Sequence, residues 1–353
     1  MSGRNFRRLA VRYEEDGIEG LRDRRIGKVS PRRAPARELD RMHALYRERY
    51  SDFTVKHFHE QLLRRHNYKL CCTVTRLSLQ AAGLVAKAKR RGAHRKKRVR
   101  RPLPGMLLFQ DGSTHRWIAA LAHDLDLVVT LDDATGEIYS ALLVDQEGTM
   151  SSFLGLAETI SEHGLFGALY TDRGGHYFTT RHADGKVDKR QLTQVGRALS
   201  QLGITHIPSY SPQASGRMER VFGTLQNRLP QELRLAGIKT VAAANRYIKE
   251  RFVPDYNARF AVPAAEPGSA FVGRPIEEVL CIQEDRVVGG DNCVSYKRRS
   301  LQIPPQRHRQ HYVRATVRVY EYLDRSLAIF DGARCLVRFD PKGRANDVGS
   351  RAA

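Results

Sequence analysis

Three acidic residues of this chain are set where a carboxylate can do chemistry. Asp111 closes the apolar run 106–110 and is followed by Gly112-Ser113. Asp172 closes the run 167–171 ahead of Arg173-Gly174-Gly175, and Glu219 follows Ser211-Pro212-Gln213-Ala214-Ser215-Gly216-Arg217-Met218. Two sit at strand-like ends and the third just inside a helix start, so one sheet can deliver all three to a common point. Carboxylates brought together from separate elements are the hard oxygen donors that a pair of magnesium ions takes. Paired magnesium cuts or joins phosphodiester bonds, so the trio points to a nuclease or a DNA strand-transfer enzyme. No G-x-x-x-x-G-K-[ST] loop for ATP occurs, and no nucleophile with an arginine cluster suggests a tyrosine or serine recombinase.

The elements that must position the trio are legible as periodicity. Strands are predicted over 106–110, 125–131, 138–144, 167–171 and 204–207, with helices near 149–163, 188–202 and 216–235. Three strands, a helix, a strand, a helix, a strand and a helix is the order of a ribonuclease-H-like α/β domain. Asp132-Asp133-Ala134-Thr135-Gly136 falls in the hairpin between the second and third strands and reads as turn chemistry rather than a ligand pair. His115 and Trp117 serve either DNA or local packing. Gly174 and Gly175 allow either a plain turn or the approach of a phosphate backbone.

Charge is distributed unevenly along the 353 residues. The formal net charge is +22, and residues 1–104 carry 29 Lys and Arg against 10 Asp and Glu, while the rest of the chain carries 31 against 28. A basic first third joined to a nearly neutral body implies a polyanion-binding region ahead of the catalytic one. Within it, residues 1–30 read as the end of a helix-turn-helix whose earlier helices are missing, with the reading frame expected to begin upstream of Met1. Helices over 37–50, 54–65 and 73–82 outline a second helix-turn-helix across 36–86, whose last helix would offer Thr73, Thr75 and Arg76 to a major groove. The linker 87–104 holds Arg90, Arg91, Arg95, Lys96, Lys97 and Arg98, too polar to pack and suited to lie along phosphates. Five cysteines without C-x-x-C spacing imply reduced thiols, and no run approaches the length of a membrane span.

The phrases Asp111-Gly112-Ser113-x-His115-x-Trp117, Thr171-Asp172-Arg173-Gly174 and Ser211-Pro212-Gln213-Ala214-x-Gly216-Arg217-Met218-Glu219-Arg220 together resemble the DDE transposases of bacterial insertion sequences. The likeness is to the ISNCY group within the retroviral-integrase-like superfamily, and it runs from the helix-turn-helix region to the C-terminal tail. It implies a DNA transposase that binds terminal inverted repeats and catalyses Mg2+-dependent hydrolysis and strand transfer into target DNA. Asp111, Asp172 and Glu219 would be its catalytic and metal-binding residues, holding two Mg2+ for which Mn2+ could substitute. A homo-oligomer on double-stranded DNA, in the bacterial cytoplasm at the nucleoid, is implied as well. The 46 residues between Asp172 and Glu219 exceed the commonest spacing of that superfamily, and the extra length is assigned to a loop over 182–188. Gln226 stands where related integrases often carry a DNA-contacting basic residue, with Arg220 or Arg228 as substitutes.

The resemblance sets the catalytic core at 105–275; a helix over 241–257 is expected to pack on the sheet, and Tyr256-Asn257-x-Arg259 through Pro263 and Pro267 resembles the segment that closes such cores. Alternating runs across 284–341 predict a small β-barrel, and 342–353 a disordered tail. The alternative is a catalytically inactive or truncated DNA-binding repressor or remnant of such a transposase.

Overall fold

A computed structural model of the chain describes residues 2–23, 26–27, 33–87, 98–180, 186–188, 190–210, 212–273, 278–306, 309–332 and 334–346. The chain divides after Gly92 into two compact units.

The first unit is helical. Helix α1 (Gly3–Gly20) starts on Ser2, which accepts the Asn5 N–H, and bends at Gly17, whose φ of 61° only glycine adopts without strain. Helices α2 (Ala36–Arg49), α3 (Val55–Arg65) and α4 (Cys72–Ala81) bury Met42, Tyr46, Phe58, Leu62 and Leu79. Tyr46 and Tyr50 meet Phe58 at ring-centroid distances of 5.1 and 5.3 Å. Among the described residues of the whole chain, no helix is long and apolar enough to cross a membrane.

The second unit is built on a mixed sheet. Strands β1 (Leu108–His115), β2 (Leu125–Asp132) and β3 (Ile138–Val144) form an antiparallel meander, and α5 (Thr149–His163) crosses to β4 (Ala168–Thr171). Helix α6 (Gln194–Leu202) leads to β5 (Thr205–Pro208), and the sheet runs β3-β2-β1-β4-β5 with β1, β4 and β5 parallel. This is the element order expected of a ribonuclease-H-like core. Beyond β5 come α7 (Pro212–Gln226), α8 (Leu229–Leu235), α9 (Val241–Tyr247), a π-helical turn (Ile248–Phe252) and α10 (Val253–Phe260).

Side-chain alternation sorts the two faces of the sheet. Phe109, Leu127, Val129 and Leu131 pack under Met218, Val221, Phe222 and Leu225 of α7. Leu108 and Leu169 point the other way, against Phe153 and Leu156 of α5 and Val195 and Leu199 of α6.

The C-terminal strands are β6 (Ile282–Val287), β7 (Cys293–Tyr296), β8 (Arg299–Gln302), β9 (Thr316–Glu321), β10 (Leu327–Asp331), β11 (Arg334–Phe339) and β12 (Ala345–Asn346). The expected small barrel does not close among the described residues. Strands β12-β11-β10-β9-β6 make one open antiparallel sheet, and β7-β8 stands apart as a hairpin. A barrel needs its edges bonded to each other, whereas β6 pairs with β9 alone and the two-residue β12 with β11 alone. Val294, Tyr296 and Leu301 of the hairpin instead share a core with Val319, Ile329 and Val337 of the sheet.

Candidate active site

Strand parity aims the first acid. In β1, Phe109 faces α7 and Gln110 faces α5, so Asp111 lies on the α7 side. Strands β1 and β4 pair at Leu108–Leu169 and Phe109–Tyr170. Asp111 follows the last of these pairs by two residues along β1, Asp172 lies one residue past β4, and Glu219 is on the covering helix α7. Asp111 is half-buried, while Asp172 and Glu219 are exposed.

Electrostatics links these carboxylates. Burial, then the charges of Asp172, Glu147 and Glu219, push the Asp111 carboxyl up to about 7, against the Gly112 N–H that donates to it at 3.0 Å. Like charges crowded at a half-buried acid are what a divalent cation would relieve. Among the described residues, no three His, Cys, Asp or Glu side chains stand close enough together to hold a metal ion. The Asp172 carboxylate is oriented by the Gly174 N–H at 2.9 Å, which makes the glycine pair a turn that steers a side chain.

Glu147, in the connector between β3 and α5, carries no sequence signal of a place in the site. An acid just ahead of a helix reads as a favourable charge for its N-terminus and nothing more. In the fold its carboxylate crosses under β1, so close that a Cβ on Gly112 would lie 2.1 Å from Oε2. It also stands 3.5 Å from His176 Nε2 and accepts the Tyr177 hydroxyl at 3.4 Å.

The other residues singled out in the sequence fall as follows. Trp117 is fully buried and donates its Nε1 to the Ser113 carbonyl at 2.9 Å, so it packs. Asp132 makes the expected turn, accepting from the Thr135 N–H at 2.7 Å and the Gly105 N–H at 3.1 Å. Thr75 requires correction as a DNA contact. It is buried in the helical unit, with its hydroxyl bonded to Tyr68 and the Cys71 carbonyl, while Thr73 and Arg76 are exposed. Arg98 is not free for phosphate either, because it pairs with Asp133. Arg228 is buried over the Phe260 ring and cannot stand in for a basic residue at 226, whereas Arg220 is exposed. Arg90, Arg91, Arg95, Lys96 and Lys97 lie outside the described residues, as do 182–185 of the 182–188 loop; Thr180 and Val187 on either side of them form a β-bridge.

Comparison with known proteins extends the assignment. The chain is 32% identical over 336 residues to a Sinorhizobium fredii protein named as transposase y4bF, covering 93% of this chain and 72% of that protein. This chain belongs to the transposases. The transposase for insertion sequence IS1202 of Streptococcus pneumoniae is 29% identical over 217 residues, 61% of this chain and 46% of that protein. Neither name decides the ISNCY group, and no family model matches. The HTLV-2 integrase catalytic core domain in complex with magnesium superposes at a TM-score of 0.32 and 18% identity, over 42% of this chain and 88% of that one. A simian T-cell lymphotropic virus intasome in complex with a PP2A regulatory subunit superposes at 0.37 and 16%, over 79% and 92%. At such scores the superpositions add nothing to the fold assignment, which rests on strand order.

Proposed function

We propose that this transposase is of the DDE type, and that Asp111, Asp172 and Glu219 hold two Mg2+ ions, or Mn2+ in their place, at the ends of an insertion sequence. The observation that carries the reading is placement: Asp111 on β1, Asp172 one residue past β4 and Glu219 on α7, the helix packed over β1, with the charges of both acids reaching Asp111 alongside that of Glu147. All three are anionic oxygen donors of the kind magnesium takes, and Asp172 and Glu219 are exposed. Bound ions would activate first a water and then a DNA 3′-hydroxyl, and would steady the leaving 3′-oxygen.

The chain's own residues position and bind. The Gly112 and Gly174 amides orient the two aspartates. Exposed Arg220 faces solvent beside Glu219, where it can take a phosphate of the strand being cut. Helices α2–α4 act as the helix-turn-helix that reads the terminal inverted repeats through Thr73 and Arg76, and the basic segment before residue 98 adds sequence-independent affinity. Two element ends require two copies, so the active form is a homo-oligomer on double-stranded DNA, with target DNA as the second substrate.

The test is cleavage and joining on a labelled duplex carrying the element's terminal repeats, with Mg2+ or Mn2+, for wild type and Glu219→Gln. Metal-dependent products are expected from wild type, with a loss of at least about 10³-fold in the variant and unchanged end binding. Binding without products from either protein would instead support a DNA-binding remnant.

A further inference from the structure

Asp133 occupies a hairpin yet does far more than a hairpin requires. Asp132 already supplies the turn through Thr135 and Gly105. Asp133 is fully buried, and its Oδ1 is shared by the guanidinium groups of Arg98 and Arg217. Its Oδ2 accepts the Arg101 N–H at 2.8 Å, and its carbonyl accepts Arg217 Nη1 at 2.8 Å. Arg217 Nη2 continues to the Arg98 carbonyl at 2.9 Å. Arg217 belongs to α7 and precedes Glu219 by two residues. On the other side of Glu219, Gln226 Nε2 donates to Ser113 Oγ at 3.0 Å, and Ser113 follows Asp111 by two residues. Glu219 therefore lies between two polar ties, one to the hairpin at the end of β2 and one to β1 itself. The apolar face of α7 holds the helix to the sheet, but directional bonds to a guanidinium and an amide fix how it is rotated.

We infer that Asp133 and Gln226 are positioning residues: Asp133 by holding Arg217, and Gln226 by holding Ser113, set the rotation of α7 and so the direction in which Glu219 presents its carboxylate to Asp111. The inference rests on the DDE reading above and deepens it.

Full-length wild type, Glu219→Gln, Arg217→Met, Arg217→Lys and Gln226→Leu are compared for strand joining at fixed Mg2+, with end binding and thermal melting measured alongside. A displacement of about 1 Å at a reacting group can cost about 100-fold in rate, so Arg217→Met is expected to lower kcat about 30- to 100-fold with KM for DNA ends within about 3-fold. Lysine keeps a single-point tie and should return kcat to within about 10-fold of wild type, and Gln226→Leu should cost about 5- to 10-fold in kcat alone. Wild-type kcat in a folded Arg217→Met overturns the inference. So does a loss shared equally by kcat and end binding, tracking the melting temperature and not rescued by lysine. If Arg217→Met does not fold, Gln226→Leu decides, and an unchanged kcat there overturns it. These outcomes presuppose an active wild type that Glu219→Gln silences; a wild type without products overturns the parent reading, and this inference with it.

Discussion

At the residue scale, what was legible was what local sequence controls. Asp111 and Asp172 stand out as candidates because each follows an apolar run and has a glycine within two residues after it, and Glu219 because a proline-and-glycine-bearing start precedes it. Glu147 and the Arg217–Asp133 pair could not, since their roles arise from contacts dozens of residues away in sequence. His206 belongs with these. It stacks on Phe178 with centroids 4.0 Å apart, its Nε2 lies 3.0 Å from Thr171 Oγ1, and it helps wall a cavity of about 290 Å³ beside α6. Burial, with the nearby His176 adding to it, lowers its pKa to about 4. The unfolded chain titrates near 6.5, so between those values the unfolded state binds more protons and stability falls as the pH is lowered. Two and a half units of separation give about 2 kcal/mol lost at pH 5 and about 3 below pH 4. Urea unfolding at pH 7 and pH 5 should show that loss in wild type and not in His206→Gln; equal pH dependence in the two would remove His206 from the account.

Elements were legible where their periodicity was strong, and misread where a single residue broke it. Helix α5 and strand β3 fall where predicted, whereas β1 runs five residues past its predicted end, because Asp111 through His115 keep pairing with Val129 through Leu125. The helix expected over 216–235 divides at Asn227-Arg228, just before Leu229 and Pro230 begin α8. The helix expected over 241–257 contains a π turn. Pro254 has no N–H to give the preceding turn, and the widened turn absorbs the mismatch. That broken helix has a task, since β3 is an edge strand. Asn245 bonds both the N–H and the C=O of Leu143, at 2.7 and 2.9 Å, and Asn257 does the same for Ile138 at 2.9 Å each. Two side-chain amides thus satisfy an edge that would otherwise pair with another chain. Asn257→Leu keeps the volume and strands two backbone groups, a loss of about 1–3 kcal/mol in chemical denaturation. Unchanged stability would mean that water replaces the amide at no cost.

At the scale of the whole molecule, charge and architecture divide the work. Nearly all of the +22 lies in residues 1–104, ahead of a body whose 31 cations and 28 anions almost cancel. The basic segment does not act as one block, because Arg98 pairs with Asp133 and Arg100 bonds the Asp133 and Ala134 carbonyls. Those two arginines serve the core, so the proposed phosphate contacts fall to Arg90, Arg91, Arg95, Lys96 and Lys97. Each phosphate contact contributes about 0.9 to the slope of log K against log salt, so changing these five to Gln should flatten the slope by up to about 4.5. Binding should weaken alike on repeat-bearing and random duplexes, since phosphate contacts carry no sequence. Arg76→Ala, in contrast, should change the slope by about 1 and remove most of the preference for the repeats, which is what a groove-reading helix predicts. A salt slope unaltered by the five changes would move the electrostatic footprint to the helical unit itself, and preference surviving Arg76→Ala would take the reading of the repeats away from α4.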